Sequence, residues 1–148
     1  MTQTQSTPRT TLPNASRLSL GLAVLRVVVG VVFVMHGAQK LFTFGIAGTV
    51  GTFAQMGAPL PEITAPLVAV LEFAGGAALI LGLLTPLIAT LLALNMLVAT
   101  VLVHMSAGFF ASEGGYELTL TLLAASVALA FTGPGVYALD NLMRRGRA

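Results

Sequence analysis

Four stretches of this chain, roughly Leu18 to Leu41, Ile63 to Leu83, Pro86 to Met105 and Tyr116 to Phe131, are apolar enough to cross a hydrocarbon core, which takes about 20 helical residues. Glycine and proline punctuate the gaps between them. "GLLTP" (Gly82 to Pro86) reads as a tight turn, with Pro86 where a new helix can begin without its N–H. "SAGFFASEGG" (Ser106 to Gly115) reads as a short loop, and "FTGPG" (Phe131 to Gly135) closes the fourth stretch. The pattern predicts an all-α membrane protein, a four-transmembrane-helix up-down bundle.

Composition agrees. Of 148 residues, 56% are hydrophobic and 8% charged, against about 45–50% and about 25% in soluble domains. Seven basic and five acidic residues are too few to cover a water-soluble surface. The net charge of +2 forms no basic patch, which argues against nucleic acid as a partner and makes the lipid bilayer the first one. There is no cysteine, so disulfides, thiolate metal sites, iron–sulfur clusters and dithiol chemistry fall away together. Two histidines give little support for a metal centre, and no covalent cofactor is expected.

The first seventeen residues, rich in Ser, Thr, Gln and Pro, read as a disordered tail. Residues 18–143 read as the membrane domain and 144–148 as a basic tail. Span one is too long for the core of a cleaved signal peptide and has Arg26 inside it. Arg9 and Arg17 flank that span, Arg144, Arg145 and Arg147 follow the last, and the connections carry only Lys40. The asymmetry puts both termini in the cytoplasm, which an even number of crossings permits. Between spans one and two, Phe42 to Glu62 is too apolar for a free loop and is expected to form a short helical or re-entrant segment on the outer face.

The ionisable residues inside the spans are the candidate site. Counting from the span ends puts Arg26 and Glu72 at similar depth near the midplane, and a buried arginine at a helix centre costs about 2.5–3.5 kcal/mol unless partnered. The two are expected to pair. His36 and Lys40 fall at the outer end of span one, His104 at that of span three and Glu117 at the outer start of span four. At 100° per residue, Gly30, Phe33, Gly37 and Lys40 lie within about 40° of Arg26, with His36 about 80° aside. Gly75, Gly76 and Leu79 fall near Glu72 on span two, while Asn95 lies opposite His104 on span three. Arg26, His36, Lys40, Glu72, His104 and Glu117 are thus expected to share one outer-leaflet polar pocket, with Gly30, Phe33, Gly37, Phe73 and Gly76 as its wall. Each residue also has a plain reading: a buried ion pair, a snorkelling lysine, hydrogen-bonded histidines, a carboxylate at a helix N-terminus.

The ordered set "R…G..F..HG..K" (Arg26, Gly30, Phe33, His36, Gly37, Lys40), "MGAP" (Met56 to Pro59), "EFAGG" (Glu72 to Gly76), a glycine-ended turn at Gly82 and "YEL" (Tyr116 to Leu118) resembles the DoxX family over about Leu18 to Met143. The resemblance implies a four-helix integral membrane protein of a bacterial or archaeal cell membrane. The family takes its name from a small subunit associated with a quinone-reducing thiosulfate oxidoreductase or terminal quinol oxidase. Many relatives carry only a general oxidoreductase description.

Two readings follow. In one, the pocket binds a quinone or similar phenolic ring, His and Lys hydrogen-bond its oxygens, the carboxylates relay protons, and a redox partner protein supplies electrons. In the other, the chain is a small-solute transporter or a non-catalytic anchor for a partner. The span count is compatible with a homo-oligomer.

Overall fold

The computed structural model describes residues 14–141. Most of the amino-terminal tail and all of the basic carboxyl-terminal tail lie outside the described residues. Helix α1 (Asn14–Ala38) begins four residues before the expected start and continues through a π-helical turn, Gln39–Thr43. A short helix α2 (Gly45–Gln55) occupies the segment expected to be helical or re-entrant. Three further helices follow: α3 (Pro61–Leu81), α4 (Thr85–Ala99) and α5 (Glu117–Thr132). Helix α4 is prolonged by a π-helical turn, Thr100–His104, and a 3₁₀ turn, Met105–Ala107. No strand occurs among the described residues.

Three of these helices are long and apolar enough to cross a membrane. Helix α5 is shorter, 16 residues or about 24 Å against a core of about 30 Å, and packs along α4. The chain is an all-α membrane protein. Leu67, Leu87, Leu94, Val98 and Phe131 are exposed, an arrangement that suits hydrocarbon and not water.

Local chemistry sets the boundaries. Gly82 ends α3 with φ +73°, while Leu83 N–H donates to Ala78 O (2.9 Å) and Gly82 N–H to Leu79 O (3.1 Å). That pair closes the helix as a Schellman motif. Three residues later α4 starts with Pro86 in its first turn. Gly45 (φ +69°) and Gly57 (φ +73°) bracket α2, setting the bends that lay it across the bundle end.

The helices associate as two antiparallel pairs, α1 with α3 and α4 with α5. The first pair rests on glycine. A methyl group on Gly30 would lie 2.7 Å from Gly76 O, and one on Gly76 would lie 2.6 Å from Gly30 O. One on Gly37 would meet Phe73 Cα at 2.7 Å. Backbones this close gain dispersion contacts that lipid tails do not match, the usual driving force for helix association in membranes. Gly30, Gly37 and Gly76, expected as pocket wall, are instead this seam. Phe33, Leu79, Leu92 and Leu129 fill the buried centre between the pairs.

Candidate functional site

Arg26 lies at one end of the bundle. It is 3% exposed, with Nη1 donating to Pro134 O (2.6 Å) and Nη2 to Tyr137 O (3.0 Å). Its guanidinium sits against Gly82, in the α3–α4 turn, so it belongs at the level of that turn and not at the midplane. The expected Arg26–Glu72 pair is therefore absent. Residues after α5 fold back onto the bundle and present carbonyls with no helical partner, and the arginine satisfies them. The same carboxyl-terminal segment is tied to the α3–α4 turn by Asp140, whose N–H donates to Gly82 O (3.2 Å).

Glu72 is 3% exposed near the middle of α3, and both of its oxygens are held. Lys40 Nζ donates to Oε2 at 2.5 Å, the one ion pair among the described residues, and Asn95 Nδ2 donates to Oε1 at 3.1 Å. Three helices thus meet in one network. Lys40 itself keeps 19% of its side chain exposed, so the ammonium retains donors for another acceptor.

That exposed side faces a cavity of about 570 Å³, within the size range of small-molecule sites. Phe33, His36, Lys40, Glu72, Asn95 and His104 line it, α2 covers it with Thr49, Thr52, Phe53 and Met56, and the remaining wall is mostly aliphatic. His104 Nδ1 is 2.7 Å from Gly114 O. A carbonyl only accepts, so Nδ1 carries the hydrogen.

Both π-helical turns carry site residues. The first contains Gln39 and Lys40. Phe44 N–H donates to Gln39 O (2.9 Å) in the wide π pattern, and Lys40 O receives the Thr49 hydroxyl of α2 (2.8 Å), which fastens the covering helix to α1. The second contains His104, and there the Thr100 and Thr119 hydroxyls bond at 2.8 Å, linking α4 to α5. Such single π turns recur at functional sites.

Of the six candidates, four line the cavity: His36, Lys40, Glu72 and His104. Arg26 is at the far end. Glu117 is not on the cavity wall; its Oε1 accepts from Ala111 N–H (2.9 Å) and pins the loop before α5. Among the wall candidates Phe33 lines the cavity, whereas Phe73 makes an edge-on pair with Phe42 (centroids 5.6 Å apart) away from it. Asn95, the third member of the network, was not among the expected residues. No cluster of three or more His, Asp or Glu able to hold a metal ion occurs among the described residues.

The fold and this polar cluster define a small helical membrane protein with a cavity roofed by a short surface helix. The DoxX family pattern matches residues 21–105, and the chain belongs to that family. It is 34% identical to the Bacillus subtilis protein named "Putative oxidoreductase CatD", over 86% of this chain and 90% of that one. It is 32% identical to the inner membrane protein YqjF of Escherichia coli, over 85% and 94% respectively. An uncharacterized membrane protein of Mycobacterium tuberculosis is 32% identical over 82% of this chain and 80% of its own length. No solved structure matches the chain.

Proposed function

We propose that the protein is the membrane subunit of a quinone-linked oxidoreductase and holds the ring of a quinone or similar phenolic compound in the cavity. The observation that carries this reading is the Lys40–Glu72–Asn95 network set into an otherwise aliphatic wall. An ion pair inside a membrane bundle costs desolvation that a pair of leucines would not. Such pairs mark sites that need a donor where water is scarce.

A quinone fits the donor set. Its ring suits the aliphatic wall and its carbonyls accept hydrogen bonds from Lys40 and from an imidazole N–H. In the quinol, a hydroxyl donates to His104 Nε2. Reduction adds two electrons and two protons to the ring. The electrons come from a partner protein, and His36 and His104, on the cavity wall near the α2 end, exchange the protons with water. The oxidoreductase description of CatD supports the same reading, and in the orientation that the arginine asymmetry predicts, with both termini in the cytoplasm, the α2 end faces outward.

Organic extraction of purified protein, followed by quinone analysis, tests it. About one quinone per chain is expected, together with loss of that quinone in Lys40→Met/Glu72→Leu at a melting temperature near that of the parent. Extracts free of quinone, and no binding of added benzoquinone, would leave the anchor or small-solute reading in its place.

A further inference from the structure

The cavity is not closed by protein on all sides. Its wall runs along α4 and its π-helical extension from Leu91 to His104, fourteen residues or about 20 Å of helix. It runs along α3 from Thr64 to Glu72. Between these two helices the lining residues Leu67 (65% exposed), Leu94 and Val98 (54% each) are also surface residues. They lie well inside the membrane-crossing helices, so the side of the cavity opens into acyl chains and not into water. The two helix pairs close against each other at Leu79, Leu92 and Leu129 and part toward the α2 end.

Charge adds a second constraint. Among the described residues, Lys40 and Glu72 are the only acid and base of opposite fixed charge on the cavity wall, and they neutralise each other. Arg26, which would recognise an anion, is buried at the other end on two backbone carbonyls. A phosphate or carboxylate entering the cavity would lose its hydration without gaining an uncompensated cation. Volume adds a third. About 570 Å³ accommodates a substituted ring but not a long hydrocarbon tail as well.

Building on the quinone reading, we infer that the natural ligand is a neutral, tailed, membrane-dissolved molecule that enters sideways between α3 and α4. The headgroup stops at Lys40, Glu72 and Asn95. The tail stays in the acyl region, leaving through the gap lined by Leu67, Leu94 and Val98. Helix α2, fastened by Thr49 to the Lys40 carbonyl, closes the cavity from the aqueous side and is not the way in.

The sequence has neither tryptophan nor cysteine, so each can be introduced once and read without background. A Phe53→Trp reporter inside the cavity would be quenched by a bound quinone ring. In that background Val98→Cys, Leu67→Cys and, on the covering helix, Met56→Cys are each alkylated with a bulky maleimide. Binding of a decyl-tailed benzoquinone and of the same ring without the tail is then measured by quenching. All three positions are exposed, and melting curves before and after alkylation confirm that the fold is intact.

Blocking Val98 or Leu67 is expected to weaken the tailed quinone by about tenfold or more, because its tail then has no volume to occupy. The tail-less ring is expected to change by less than about twofold, and alkylating Met56, which covers the headgroup end of the cavity, should shift both ligands by the same factor. If Met56 alkylation blocks both ligands while Val98 and Leu67 alkylation block neither, the ligand enters from water and the inference is overturned, although the quinone reading stands. If neither ring quenches the unmodified reporter, the quinone reading itself fails and this inference with it.

Discussion

Arg26 and Lys40 stand fourteen residues apart on one face of the same helix, and both are cations enclosed among apolar helices. Their surroundings differ in kind. Arg26 spends its donors on two backbone carbonyls of the segment after α5 and faces no cavity. Lys40 meets a side-chain carboxylate that is also held by Asn95, and keeps one side open to a 570 Å³ space. A cation that satisfies the fold's own carbonyls is structural. One left partly free beside a cavity is available to a ligand.

The sharpest way to break this contrast is to orphan one partner at the cavity. Glu72→Leu leaves Lys40 as an uncompensated charge, and removing one member of a buried pair costs about 3–5 kcal/mol. Folded yield and melting temperature should fall accordingly. Lys40→Met added to it should restore most of the stability but none of the quinone binding. Arg26→Met comes next, at about 2–3 kcal/mol, since two enclosed carbonyls lose their donor. Binding per folded molecule should be unchanged. Because Arg26 and Glu72 share no partner, their effects should add to within about 0.5 kcal/mol, read from chemical or thermal melts of the single and double variants.

Asn95→Leu should be milder, about 1.5 kcal/mol, the loss of one hydrogen bond to a charged group. It should also weaken quinone binding, because Glu72 is then held on one side only. The smallest effect belongs to Glu117→Gln. The amide oxygen still accepts from Ala111 N–H, so the loss is at most about 1 kcal/mol of interaction with the α5 N-terminus, with no change in binding.

The helices were legible because apolar run length and Gly/Pro punctuation are local signals, and so was the face of α1. Arg26, Gly30, Phe33 and Gly37 are buried together, as 100° spacing requires. The pairing of Arg26 with Glu72 was misread because depth was counted from the span ends. Helix α1 begins at Asn14, and the chain after α5 folds back beside Arg26, which no local pattern discloses. Asn95 was missed for a different reason. Nine residues at 100° put it opposite His104 in an ideal helix, but the π turn at Thr100–His104 carries an extra residue per turn. That shifts the phase by about 100° and brings both onto one cavity. The 100° spacing puts Gly30, Gly37 and Gly76 on the inward faces of α1 and α3, yet only the packed helix pair shows that they touch backbone and leave no wall to line.

The account stands or falls on whether stability and ligand binding separate between the two cations. The decisive measurement is the dissociation constant for a tail-less benzoquinone, paired with the melting temperature, on the same detergent preparations of Arg26→Met and Lys40→Met/Glu72→Leu. The structure predicts opposite outcomes: Arg26→Met melts lower and binds as the parent does, while Lys40→Met/Glu72→Leu melts near the parent and does not bind. Parallel loss of both properties in both variants would contradict it.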